Sequence, residues 1–225
     1  HGTVMIPSLF SHRKILLVFL RHFGCRFCRQ QVHAIRECVQ PVLRRNGCEV
    51  VLVALGVPAQ IPAFREETGF DGEIYVDPLP DSPVAYRGFG LCGGKDRLID
   101  DAGELLPHVQ AKGALAAAAG FGDGGYGTGA SPYTGDVFQV GGMFVLEHDA
   151  CFYAHRSAYA GDVPDISVIV EASTGLRADG EPSTVVWPGW ETECACTVPV
   201  QAIGAELLAP RLQRSKSPRV EPVRH

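Results

Sequence analysis

The chain has 225 residues, 46% of them apolar and 20% charged, with a formal charge of −5 and a pI near 5.9. That length holds one large domain, or one of about 150 residues with an appendage, and the acidic balance excludes a general attraction to nucleic acid or acidic membranes. Eight cysteines are too sparse for a secreted disulfide scaffold in a chain so rich in core-forming segments, and no apolar run reaches the roughly eighteen residues that span a bilayer.

The first element is an apolar strand, Ile15 to Leu20, which leads through Arg21-His22-Phe23-Gly24 into Cys25-Arg26-Phe27-Cys28 and a helix. A helix N-terminus carries about half a positive charge and unpaired backbone N–H groups, so a cysteine placed there ionises below the free-thiol value of about 8.5. Arg21, His22, Arg26 and Arg29 lie within four residues of Cys25, and no acidic residue occurs between Lys14 and Arg36. Local charge therefore pushes the same way. Cys28, Val32, Ile35, Val39 and Val42 follow the three-and-four spacing of one buried helical stripe. This predicts an exposed, acidic Cys25 above a sheltered Cys28, the asymmetry of a dithiol that attacks and then closes an internal disulfide. The bland alternative is two cysteines packed as small apolar residues, and the context of strand, basic turn and helix favours the redox reading. His22 reads equally as a base for Cys25 or as packing at the strand end. Arg21 reads as the cation for a thiolate or a bound oxyanion.

Pro41 is expected to kink the helix and Gly47 to end it. Glu49 to Leu55 is a valine-rich run of the kind buried on both sheet faces, and strand, helix, strand within about forty residues predicts a right-handed crossover and a parallel central sheet. Next come a helix over Ile61 to Thr68 stopped at Gly69, a strand over Glu73 to Val76 ended by the turn Asp77-Pro78, and a helix over Ser82 to Phe89 closing at Gly90. Leu105 to Ala119 is helix-compatible, whereas Gly120 to Gly135 holds seven glycines and reads as a long extended loop. No strand precedes that loop and no Gly-Lys-Ser/Thr follows it, so it is not a phosphate loop. Val140 to Leu146 and Cys151 to His155 form a hairpin across Glu147-His148-Asp149-Ala150, with His155 and Arg156 as a solvated strand terminus, and Asp165 to Ala172 is a closing helix.

From Thr174 onward Pro, Gly, Ser and charged residues dominate. The expected division is a domain over 1–175 and a partly disordered tail over 176–225, with Trp187 and Trp190 docked on the domain and Arg211 to His225 mobile. Cys38, Cys48, Cys92 and Cys151 sit in or beside apolar segments and read as structural, reduced thiols. Cys194-Ala195-Cys196 reads as an exposed pair, ahead of a glutathione-reactive one. A zinc site joining it to Cys25 and Cys28 has the wrong ligand spacing.

The order of elements resembles the thioredoxin fold. More specifically, the stretch from Phe19 to Arg29, followed by Tyr75-Val76-Asp77-Pro78, Tyr86-Arg87-Gly88-Phe89-Gly90-Leu91 and Gly135-Asp136-Val137-Phe138-Gln139-Val140-Gly141-Gly142, resembles the peroxiredoxin-like proteins of the alkyl hydroperoxide reductase and thiol-specific antioxidant superfamily. The likeness runs from about Val4 to Ala172. It implies an α/β thioredoxin-like fold with a central mixed sheet flanked by helices, and a thiol oxidoreductase acting on peroxides or disulfides. Cys25 would then be the nucleophile and Cys28 the resolving thiol, with thioredoxin or glutathione as electron donor and no cofactor or metal. Three departures from the resemblance stand out, one of them the tail beyond residue 175, for which the family offers no role. The peroxiredoxin pattern Pro-x-x-x-Thr/Ser-x-x-Cys has His22 three residues before Cys25 and Val18 seven before, and the thioredoxin cis-proline is replaced by Gly141-Gly142. Two alternatives accompany this reading: a prostaglandin-endoperoxide reductase resembling prostamide/prostaglandin F synthase, and a non-catalytic redox-sensing protein. The expected compartment is the cytoplasm, and a start at His1 leaves room for an upstream targeting segment.

Overall fold

A computed structural model describes residues 2–77, 83–118, 138–177, 180–183 and 211–214. Strand β1 (Gly2–Met5) and the short helix α1 (Pro7–Phe10) lead into β2 (Lys14–His22), the centre of the molecule. Helix α2 (Arg26–Ala34), a wide turn over Ile35–Val39 and α3 (Gln40–Arg45) carry the chain to β3 (Cys48–Leu55). Then follow α4 (Ile61–Thr68), β4 (Glu73–Asp77), α5 (Val84–Gly88), α6 (Pro107–Ala118), the hairpin β5 (Gly142–Glu147) and β6 (Ala150–Arg156), α7 (Ile166–Thr174) and β7 (Arg211–Arg214).

The strands form one sheet in the order β1-β7-β4-β3-β2-β5-β6. β2, β3 and β4 run parallel, and β5 and β6 extend the sheet antiparallel from β2. This is the mixed sheet with flanking helices that the sequence predicts. The alternation of β2 assigns its two faces: Leu16, Val18 and Leu20 join one core with Val32, Ile35, Val39, Phe64 and Ile169 from the helices, while Ile15, Leu17 and Phe19 join the other with Leu9, Tyr86 and Phe89. Each fully buried Leu or Ile in these layers stabilises the fold by roughly 1.5–3 kcal/mol. β2 thus holds its position rigidly, and its C-terminal end is the fixed point from which the redox turn departs.

The helix after that turn differs from its expected phase. The Gln40 N–H reaches back five residues to the Ile35 carbonyl, because Pro41 has no N–H to continue the ordinary ladder. The wide turn inserts one residue, so Leu43 is fully buried and Val42 only half-buried, where the three-and-four spacing places Val42 in the core. Helix α4 has the expected bounds and stops at Gly69, which takes a left-handed φ of 66° that a side chain disfavours. Helix α5 begins at Val84, later than expected, and Ser82 lies outside the described residues. Leu105 pairs with Ile99 in an isolated bridge ahead of α6 instead of joining that helix.

The sheet also takes a strand from beyond residue 175. Arg211–Arg214, expected to be mobile, lies between β1 and β4, with Tyr75 opposite Arg214 and Val76 opposite Gln213. It pairs the backbone edge that β4 would otherwise present. The glycine-rich stretch 120–135, Trp187, Trp190, Cys194 and Cys196 lie outside the described residues. Among the described residues no helix is long and apolar enough to cross a membrane, and no group of three His, Cys, Asp or Glu side chains is placed to hold a metal ion.

Candidate redox site

The site is built where β2 stops being regular. Its register with β3 shifts between Phe19 and His22, and the Tyr86 hydroxyl donates to the Leu20 carbonyl there while lying 3.3 Å from that of Val53. The chain then folds tightly: the Cys25 N–H donates to the His22 carbonyl (3.2 Å), and the Cys25 carbonyl accepts the first helical bond from the Arg29 N–H (3.1 Å). Cys25 is the N-cap residue of α2, with extended backbone angles. The helix dipole thus points at it, as the sequence implies.

Arg21 serves both sulfurs. Its Nη1 donates to Cys25 Sγ at 3.2 Å, and its backbone N–H donates to Cys28 Sγ at 3.2 Å. Its Nε donates to the Gln139 carbonyl at 3.1 Å, which fixes the plane of the guanidinium. Gln139 is itself buried, and its side-chain Nε2 donates to the carbonyls of Cys92 and Val140, each at 3.0 Å. Sequence reasoning missed Gln139. The available signal was its place in the Gly135 to Gly142 motif, which draws attention to its glycines instead. Of the other basic neighbours, Arg29 pairs with Glu67 on α4 and Arg26 donates to the Gly113 carbonyl on α6 at 3.4 Å. Arg21 reaches Cys25 Sγ directly through its guanidinium.

Cys25 is not exposed as expected. It is 5% exposed and Cys28 3%, so the asymmetry between them resides in hydrogen bonds. A hydrogen bond from the Cys28 thiol, then the charge of Arg21, holds Cys25 well below the ordinary thiol range against the opposing effect of burial. Burial, followed by its donor role toward Cys25, pushes Cys28 well above that range. The pair shares one proton, with the negative charge on Cys25. His22 is pushed down to about 4, by burial first and then by Arg21 and Arg29, against the pull of Cys25. Its imidazole is therefore neutral at pH 7. The structure thus brings all four predicted site residues together.

The replacement for the cis-proline is equally confined. A Cβ on Gly141 would stand 2.1 Å from the Phe19 carbonyl, so the close approach of this backbone to β2 requires glycine. The Gly141 carbonyl accepts from the Ser157 N–H, and the Val140 N–H donates to the Cys92 carbonyl, both at 3.1 Å. A cavity of about 20 Å³ lies alongside, lined by Arg21, Phe27, Cys28, Gly141, Tyr159 and Asp162 among others.

Three further expectations are corrected. Cys92 is disulfide-bonded, not a reduced thiol, while Cys38, Cys48 and Cys151 are free. Cys38 is exposed and not packed in the core. His155 and Arg156 are no solvated terminus: His155 Nε2 is 3.6 Å from Asp162 Oδ2, and Arg156 donates to the Phe89 carbonyl at 2.8 Å with its guanidinium 5.4 Å from the Phe144 ring. The crossing segments Phe89–Gly90 and Ser157–Asp162 fold back over the strand end and enclose both side chains.

Residues 36–158, more than half of the chain, match the AhpC/TSA antioxidant enzyme family, and the protein belongs to that family. The fold is thioredoxin-like, and the family supports a thiol-based redox role. The matched residues begin beyond Cys28, so the C-x-x-C turn itself lies outside them. The chain is 30% identical to peroxiredoxin-like 2C of Mus musculus over 107 residues, 48% of this chain and 45% of that protein. It is 37% identical to a chloroplastic thioredoxin-like protein of Arabidopsis thaliana over 75 residues, 33% of this chain and 30% of that protein. A prostamide/prostaglandin F synthase of Salmo salar is 26% identical over 188 residues, 80% of this chain and 86% of that protein. The chain thus spans less than half the length of the first two relatives.

Proposed function

We propose that the protein is a dithiol peroxide reductase in which Cys25 is the nucleophile and Cys28 the resolving thiol. The observation that carries the reading is Arg21, whose guanidinium meets Cys25 Sγ while its backbone N–H meets Cys28 Sγ, each at 3.2 Å. Cys25 thiolate attacks one peroxide oxygen, the O–O bond breaks, and the products are a sulfenic acid on Cys25 and an alkoxide that takes a proton to leave as alcohol or water. Cys28 then gives up its thiol proton and attacks Cys25 sulfur, which expels the hydroxyl as water and forms the Cys25–Cys28 disulfide. Two electrons from a thioredoxin or glutathione donor restore the dithiol.

A small peroxide is favoured over a protein disulfide because the Val140 N–H and the Gly141 carbonyl beside the turn are engaged within the protein, as are both edges of β5. An extended polypeptide therefore lacks the backbone partners that strand addition uses. The endoperoxide reading is kept by one observation, that the Salmo salar relative is matched over 86% of its length. The test is turnover of hydrogen peroxide, an organic hydroperoxide, a prostaglandin endoperoxide and a protein disulfide, each with thioredoxin or glutathione. With Cys28→Ser, one equivalent of peroxide should leave a dimedone-reactive sulfenic acid on Cys25. Absence of turnover with every oxidant supports the non-catalytic sensor instead.

A further inference from the structure

Arg21 reaches Cys25 through a long side chain with several rotatable bonds, so the 3.2 Å contact of Nη1 with Cys25 Sγ depends on what holds the guanidinium. The group is planar, and once Nε is anchored and the plane is set the position of Nη1 follows. The Gln139 carbonyl anchors Nε at 3.1 Å. The side chain of the same residue anchors that carbonyl. It is buried, and its Nε2 donates to the Cys92 and Val140 carbonyls, each at 3.0 Å, which uses both amide hydrogens. We infer that the Gln139 side chain is a positioning residue of the redox pair: it locks the backbone at 139–140 onto Cys92, so that the Gln139 carbonyl stands where Arg21 must meet it to face Cys25. This role rests on the dithiol cycle proposed above, in which Cys25 is the reacting thiolate.

The lock closes a ladder between segments distant in sequence. Gln139 pairs with Gly93 in an antiparallel bridge, the Val140 N–H donates to the Cys92 carbonyl at 3.1 Å, and the Gly94 N–H donates to the Phe138 carbonyl at 3.4 Å. Two residues on, Gly141 presses against β2, where a Cβ would stand 2.1 Å from the Phe19 carbonyl. The Gln139 amide thus joins the ladder to the strand that carries Arg21, and a shift of the ladder moves the carbonyl away from Nε.

Arg21 has a competing destination. Asp162 lines the same cavity as Arg21 and Cys28, and a carboxylate is a strong, charge-assisted partner for a guanidinium. An Arg21 released from the Gln139 carbonyl can turn toward it, which takes the cation from Cys25. The other titratable or charged groups around the pair are Cys28 and His22 in the turn and Arg29 on α2, which is paired with Glu67. Their effect on Cys25 does not pass through Arg21, so Gln139 is tested with Arg21 present and with it absent. Methionine has nearly the length of glutamine and no donor, and Gln139→Met removes the lock while keeping the backbone carbonyl that meets Arg21.

The experiment is a double-variant cycle on the full chain. The wild type, Gln139→Met, Arg21→Ala and the double variant are reduced and alkylated with iodoacetamide from pH 5 to 10. The rate is read at Cys25 alone, the one cysteine on the tryptic peptide His22–Arg26, or Ile15–Arg26 where Arg21 is replaced. Gln139→Met should raise the midpoint of the profile by about one unit, a roughly tenfold slower reaction at pH 6. In the Arg21→Ala background the same substitution should change the rate by less than about twofold. Equal shifts in both backgrounds mean a merely structural role and overturn the inference, as does an unshifted Gln139→Met profile where Arg21→Ala shifts it. A wild-type Cys25 that ionises like a free thiol overturns the dithiol cycle as well. If Gln139→Met does not fold, the cycle is run with Gln139→Asn, whose amide is one methylene too short to keep both bonds. A reading on the wild type needs no variant: in nitrogen-15 spectra the Arg21 Nε–H should exchange slowly with solvent, and exchange as fast as that of the exposed Arg45 overturns the inference.

Discussion

Strand β2 has a cation and a cysteine at each of its ends, and they behave in opposite ways. At its start Lys14 stands opposite Cys48 in the parallel register with β3. At its end Arg21 precedes Cys25 by four residues. Cys48 is pushed up to about 11 by burial, and the Lys14 charge only partly opposes the rise. Cys25 is as buried in effect, yet it is held well below the ordinary range. Lys14 spends its charge elsewhere, with Nζ 3.6 Å from Glu147 and 4.5 Å from the centre of the Phe152 ring. Arg21 aims Nη1 at the sulfur, and Cys25 adds a helix N-terminus and a donated thiol hydrogen. Burial alone therefore raises a thiol, and a nearby cation reverses the effect only through directed contact.

The largest break in that comparison comes from Cys25→Ser. A thiol near pH 11 is about 10⁻⁴ ionised at pH 7, so neither Cys48 nor Cys151, both pushed to about 11, can replace the lost thiolate. Alkylation rates measured from pH 5 to 10 should lose the whole fast phase below pH 8, and peroxide turnover should vanish. Persistence of the fast phase would move the thiolate to another cysteine.

Arg21→Ala comes next. Loss of a contacting opposite charge shifts a thiol upward by about one to three units. The Cys25 rate at pH 6 should fall by about ten- to a thousandfold and recover at high pH. A rate that stays low at pH 9.5 would mean that the variant has damaged the site rather than its acidity. Circular dichroism and the melting temperature report whether the fold is intact.

Cys48 offers a stability test of the other end. Its folded value, about 11, lies above its unfolded value near 9, so the unfolded chain loses its proton first as pH rises. The stability that Cys48 contributes is fully present below pH 9 and is lost between pH 9 and 11. Two units correspond to about 3 kcal/mol at most. Urea midpoints for the wild type should fall across that window more steeply than for Cys48→Ala. Equal slopes would show that Cys48 ionises in the folded protein as easily as in the unfolded chain.

Much of this architecture is legible in the sequence because it rests on local rules. The apolar run through Leu20, the basic turn and the valine-rich run to Leu55 predict the parallel core around the site, and Gly69 and Asp165 mark helix ends by their own backbone and side-chain chemistry. What was not legible depends on contacts distant in sequence. Gln139 meets Arg21 across 118 positions, and no spacing announces it. The burial of Cys25 follows from the fold above the turn, and the wide turn at Ile35–Val39 is a response to Pro41 that the spacing of apolar residues alone misreads by one position. β7 is four residues long and mostly polar, so its place in the sheet follows from the open edge of β4 and from no periodic signal of its own.

The smallest expected effect is that of Lys14→Ala on Cys25, and it is the sharpest test of contact against general field. The two ends of β2 are seven residues apart from Lys14 to Arg21, about 23 Å at the usual rise of a strand. Two unit charges at that distance interact by roughly 0.7 kcal/mol at an effective dielectric of about 20 and by about 0.2 kcal/mol in water. The separation also exceeds two Debye lengths at physiological salt, which are about 8 Å each. The Lys14–Glu147 pair is partly exposed, with side chains 23% and 34% accessible, so its loss should cost under about 1 kcal/mol of stability. The alkylation rate of Cys25 should therefore change by less than about twofold at any pH, while Cys48 becomes still harder to ionise. A shift in the Cys25 profile of half a unit or more would mean that the summed charge along the strand, and not the Arg21 contact, sets the acidity of the site.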